Sequence, residues 1–220
     1  MILEVCCGNE ESVDAAVAGG APRIELCSHL ELDGLTPEWE TLRTVRERYP
    51  GLVIHVLIRP RAGDFHYSAA EAAQMVADAR TALSLGVDGI VVGALTPEGD
   101  PDIEILRQFQ APSLTFHRAF DVCRAPLEAM EAIIGLGWQR ILTSGQAPSA
   151  LEGAGLIRQL QEKAAGRIIL LPGGGVTPEN ARRILELTGC SELHASASET
   201  GHDGRKVTSA RKVEGIINAV

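Results

Sequence analysis

Short β-rich runs alternate with longer helical patterns along the whole chain. Read at a period of two, the runs occupy Ile2–Cys6, Arg23–Cys27, Leu52–Ile58, Gly89–Val92, Ser113–Phe116, Arg140–Thr143, Arg167–Leu171 and Glu192–Ala195. Between them lie stretches with recognisable helix starts. Asn9 followed by Glu10 and Glu11 gives an N-cap with an acidic first turn, and Gly19-Gly20 closes that helix. Thr36-Pro37-Glu38 opens the second helix, with Pro at its first position, and the pattern runs to Tyr49. Ser68-x-x-Glu71 is a capping box for a long helix reaching Leu85. Asp100-Pro101 starts a short helix to about Gln108, and Pro126 to Leu136 forms another. Ser149-x-x-Glu152 caps a helix ending before Gly166, Thr177-Pro178-Glu179 opens one that Gly189 stops, and the last runs from about Ser209 to Ala219.

Eight strands, each followed by a helix, predict a single (β/α)8 barrel domain spanning residues 1–220. The doubly wound alternative lacks its dinucleotide fingerprint, because no GxGxxG follows the first strand. In a closed barrel one set of alternate strand residues meets the helices and the other points inward. Leu3, Val5, Ile24, Leu26, Ile54, Val56, Ile58, Leu114, Phe116 and Leu193 form the outer set. Glu4, Cys6, Glu25, Cys27, His55, Leu57, Arg59, Thr115, His117 and His194 are then inward. Charges cannot be left unpaired in such an interior; they pair with each other or bind something.

The candidate chemistry gathers where strands end. Thr115-Phe-His-Arg-Ala-Phe-Asp121 discharges His117, Arg118 and Asp121 at the carboxyl end of the fifth strand, the end at which barrels build sites. Glu4, Glu25, Arg59, His117, Arg118, Asp121 and His194 are therefore the candidate acids, bases and anion clamps. Pro172-Gly173-Gly174-Gly175 places bare backbone N–H groups at a strand-to-helix junction, and Ser196 follows the eighth strand. Together they make a candidate anion cup.

Composition narrows the partners. A net charge of −9, from 20 basic and 29 acidic residues, argues against nucleic acid or an anionic membrane. No apolar run is long enough to cross a bilayer, and Ile2-Leu3-Glu4-Val5 follows Met1 with no basic leader, which reads as a cytosolic chain. Five cysteines, an odd number, suit reduced thiols better than a disulfide framework.

Several blocks, in order, resemble the CutC family, whose members are named for copper homeostasis. They are Leu3-Glu-Val-Cys6, Arg23-Ile-Glu-Leu-Cys27, Gly34-Leu-Thr-Pro37, His55-Val-Leu-Ile-Arg-Pro-Arg61 with Gly63-Asp-Phe65, Thr115 to Asp121, Arg140 to Gln146, and Pro172 to Val176. Asp33 and Ala62 stand where the family pattern has Gly, and Leu193 where it has Phe. The resemblance implies a TIM barrel, a cytoplasmic location, a homodimer or higher homo-oligomer, and a copper-associated role. Cu(I) prefers sulfur, and Cys6 and Cys27 lie inward on adjacent strands about 4.8 Å apart, so this pair is the candidate metal site. The polar interior supports a different function equally: an enzyme acting on a small phosphorylated or anionic metabolite. A scaffold with a vestigial site is a third possibility.

Overall fold

The computed structural model describes residues 1–200 and 206–220. Eight parallel strands form one sheet: β1 (Ile2–Cys7), β2 (Arg23–Leu26), β3 (Val53–Leu57), β4 (Gly89–Val92), β5 (Leu114–Phe116), β6 (Arg140–Thr143), β7 (Ile169–Pro172) and β8 (Glu192–Ala195). Each strand pairs with its neighbour in sequence from β1 to β7, and β1 also pairs with β8. A bridge from Gly173 to His194 joins the two remaining edges, so the sheet closes on itself. Around it run α1 (Glu10–Ala18), α2 (Trp39–Arg48), α3 (Ala69–Ser84), α4 (Ile103–Leu106), α5 (Pro126–Gly135), α6 (Ala154–Ala164), α7 (Ala181–Thr188) and α8 (Ala210–Asn218). The expected barrel is the observed one. No helix among the described residues is long and apolar enough to cross a membrane.

Strand alternation decides what is inside. All ten residues of the outer set belong to the large apolar core between strands and helices. A second, small apolar cluster of Cys6, Cys27, Leu57 and Val91 lies inside the barrel, with Leu30 packed against it. A one-residue slip of β1 would put Glu4 and Cys6 against the helices in place of Leu3 and Val5. That would forfeit about 1.5–3 kcal/mol for each large apolar chain, besides burying a carboxylate among hydrocarbon.

Two expected caps form as read. The Asn9 side chain accepts from the Ser12 N–H, and Ser68 and Glu71 make both bonds of a capping box. Four other helix starts move; the shortest helix, α4, is capped by Asp102, which accepts the Ile105 N–H, and not by Asp100. Glu38, not Pro37, adjoins the first residue of α2, because the Thr36 N–H and hydroxyl both donate to the Arg59 carbonyl and tie this segment to the end of β3. The Ser149–Glu152 contact forms but caps only the turn that leads into α6, which begins at Ala154. There Gly153 tucks so close to β6 that a Cβ would lie 1.9 Å from the Ser144 carbonyl. Thr177 to Asn180 likewise makes its own turn, its Thr177 N–H bonded to the Asn180 side chain, and α7 starts at Ala181. An antiparallel pair of strands, β9 (Ser198–Thr200) and β10 (Lys206–Thr208), which the sequence pattern did not show, stands between β8 and α8.

Candidate functional site

The barrel floor is an ion network centred on Glu4. In register, Glu4 lies beside Arg23 on β2 and His194 on β8. Its Oε2 accepts from Arg23 Nε at 2.6 Å and lies 2.9 Å from His55 Nδ1. Arg23 also bonds Glu192, which accepts from Arg140 Nε at 2.9 Å. Burial alone would raise the Glu4 pKa, but the His55 imidazole 2.9 Å away, Arg23 and His194 hold it well below the usual carboxylate range. Arg23, Arg140 and Glu192 were not singled out from the sequence. The signal was available, because each shares strand parity with an inward residue: Glu25, Leu142 and His194.

Above this floor stands a second group. His194 Nε2 lies 2.8 Å from Glu25 Oε2 and 3.9 Å from Glu4 Oε1. Ligand atoms of Cys6, Glu25 and His194 all fall within 4.8 Å of one another, and Cys6 Sγ is 3.6 Å from Cys27 Sγ. Burial would push the His194 imidazole down, yet its contacts with Cys6 and Glu25 push it well above its ordinary value. The Cys6 thiol is also pushed well up, first by its hydrogen bond with Cys27 and then by burial.

The opposite wall comes from β3, β4 and β5. His117 Nδ1 accepts the Ala119 N–H at 3.1 Å. Burial first, and then the Arg59 charge, push its imidazole down to about 3, so the ring is neutral at physiological pH. Two glycines on β4 and just after it make room for the inward histidines. A Cβ at Gly93 would lie 2.5 Å from His117 Nδ1, and one at Gly89 would lie 2.5 Å from His55 Cδ2. Their spacing of four residues is a sequence signal that the helix-stop reading of glycine passes over.

At the mouth, Arg118 Nε donates to Asp121 at 2.8 Å and its Nη2 to Ser144 Oγ at 3.1 Å. Asp121 also accepts from the Thr143 hydroxyl and from the backbone and hydroxyl of Ser144, so its oxygens tie the β5 loop to the β6 loop. The Gly173 N–H donates to the Thr143 carbonyl and continues the sheet. Gly174 and Gly175 turn away in the left-handed region, at φ of 97° and 72°.

One cavity of about 1030 Å³ brings most of these groups together. Cys6, Glu25, Arg59, His117, Arg118, Asp121, Gly174, Gly175, His194 and Ser196 line it, whereas Glu4, Cys27 and Gly173 stand behind its wall. Arg211 and Lys212, in the first turn of α8, also line the cavity; nothing in their helical pattern marked them.

Residues 1–199 match the model of the CutC family. A CutC family protein from Chromobacterium violaceum is 47% identical over 200 residues, covering 89% of this chain and 81% of that protein. A human protein described as a copper homeostasis protein cutC homolog is 46% identical over 209 residues, covering 93% and 76%. Among solved structures, a Streptococcus agalactiae protein described as CutC superimposes with a TM-score of 0.85 at 31% identity, covering 89% of this chain and 98% of that one. Phosphoribosyl anthranilate isomerase from Thermotoga maritima, at 14% identity and a TM-score of 0.64 with 100% and 98% covered, shares the fold alone. A family match along nearly the whole chain, with close relatives in bacteria and human, identifies this protein as a member of the CutC family of copper homeostasis proteins.

Proposed function

We propose that the protein binds Cu(I) as cargo through Cys6 and Cys27. The observation that carries this reading is a buried pair of sulfurs 3.6 Å apart, with His194 beside Cys6. With metal–sulfur bonds of about 2.3 Å, a linear pair would need sulfurs about 4.6 Å apart. At 3.6 Å the pair subtends roughly 100° at the metal, which suits a bent site with His194 as third ligand better than the two-coordinate site expected from the sequence. Because the Cys6 thiol and His194 both hold their protons strongly, binding releases protons and affinity rises with pH, by up to about tenfold per unit for each proton released. In an anaerobic chelator competition, Cys6→Ala with Cys27→Ala is expected to lose at least about a hundredfold in Cu(I) affinity, whereas Cys190→Ala keeps it. Equal affinity in wild type and double variant removes the thiol pair from the function.

A second reading, an enzyme or binding protein for a small anionic metabolite, is favoured by the mouth. Gly174, Gly175, Ser196, Arg118, Arg211 and Lys212 all line the same cavity, so bare N–H groups and cations share one space. Phosphate or a phosphorylated metabolite is then expected to raise the melting temperature, and Arg211→Glu to abolish the rise. Gly174 is a poor place for this test, since any side chain at φ 97° strains the backbone. A phosphate response unchanged in Arg211→Glu would take the anion away from the mouth.

A further inference from the structure

Two donors in the cavity wall, where β3 and β5 end, are buried and lack hydrogen-bond partners among the described residues: Nε2 of His117 and Nε of Arg59. Both side chains line the cavity, and each residue is only 5% exposed. Phe65 packs against both. Its ring centroid is 5.0 Å from that of His117 and 5.0 Å from the Arg59 guanidinium carbon.

The chemistry of each donor is fixed by what its other atoms do. Since His117 Nδ1 accepts the Ala119 N–H, the proton of the neutral ring sits on Nε2. Turning Nε2 into a metal ligand would move that proton to Nδ1, against another N–H donor 3.1 Å away. His117 is therefore built to donate to an oxygen. Arg59 donates through Nη1 to the carbonyls of Leu32, Asp33 and Gly34 at 3.0–3.3 Å, and through Nη2 to that of Gly63 at 3.0 Å. Those bonds staple two loops together, but carbonyl dipoles do not neutralise a guanidinium. A buried cation is costly without an anion beside it.

We propose that this part of the cavity is a subsite for the carboxylate of a small organic acid, which accepts from His117 Nε2–H and offsets the charge of Arg59. One neutral donor and one cation match a monoanion better than a phosphate dianion. Leu57, Phe65 and Leu142 supply apolar wall for the carbon portion of such a ligand. Neither donor belongs to the thiol pair or to the cations at the mouth, although Leu57 packs with both thiols.

The full-length chain at neutral pH, titrated with glycolate, pyruvate and benzoate by calorimetry and thermal shift, with inorganic phosphate as comparator, tests the proposal. At least one carboxylate is expected to bind wild type and Cys6→Ala/Cys27→Ala alike. His117→Gln, which keeps an N–H donor near Nε2, retains that binding, and His117→Phe weakens it by about tenfold or more. Long-range ¹H–¹⁵N spectra of the wild type give a readout that does not depend on a variant folding. They are expected to show a neutral His117 ring protonated at Nε2, with that signal moving on titration. The proposal is overturned if none of the three carboxylates binds, if His117→Phe binds as tightly as wild type, if only phosphate moves the signal, or if Nε2 carries no proton.

Discussion

Glu4→Gln is expected to lower the unfolding free energy by about 3–5 kcal/mol, the usual cost of removing one partner from a buried ion pair. Glu4 is fully buried, and its Oε2 meets both Arg23 at 2.6 Å and His55 at 2.9 Å. Gln keeps the shape but not the charge, so Arg23 must rely on Glu192 alone, which Arg140 already shares. The urea midpoint, at constant slope, measures the loss. A change below about 1 kcal/mol would mean that Glu192 suffices and that Glu4 is not the hub of the floor. The charge also fixes a sign. With its folded pKa below the unfolded value near 4.5, Glu4 contributes stability above that pH and loses it as pH falls through the folded value.

The second large effect belongs to His117 and is a slope in pH. The unfolded histidine takes up a proton near 6.5, but the buried ring resists until about 3. Between those values the unfolded state binds more protons, so stability rises with pH by about 1.4 kcal/mol per unit, on the order of 5 kcal/mol across the window. His194 acts with the opposite sign. Its folded pKa is raised, so its contribution is full below 6.5 and declines as pH climbs toward the folded value. Near pH 6 even an unfolded glutamate is almost fully ionised, so the lowered carboxylates add little and the His117 slope dominates. There His117→Gln is expected to flatten the stability profile by about one proton's worth. Parallel profiles for wild type and variant would mean that the ring is not held neutral by its burial.

Much of this was legible in the sequence because a strand has only two faces. Once Leu3 and Val5 were set against the helices, Glu4 and Cys6 had to point inward, and the same parity placed Glu25, His55, Thr115, His117 and His194. The anchoring of Arg23, Arg140 and Glu192 follows from that parity too, but their positions near strand starts read as exposed edges. A closed barrel has no such edge at its floor. Helix starts fared unevenly for a physical reason. Asn9 and Ser68 cap through bonds within four residues, whereas Pro37 and Ser149 sit where contacts with another strand or loop override the local signal, and Thr177 is taken up by a separate turn that the Asn180 side chain closes. The cations of α8 were illegible, because only the tertiary fold brings Arg211 and Lys212 over the cavity.

The closing bridge between Gly173 and His194 has a consequence for breathing of the fold. The other seams are ladders of at least two paired residues, whereas β7 and β8 meet through this single pair. The seam has the fewest paired residues in the barrel, so it is where local opening is expected to cost least. It runs beside His194, next to Cys6 and in the wall of the cavity. A brief parting of β7 from β8 would loosen the barrel wall beside His194 and Cys6 without unfolding the rest of the molecule.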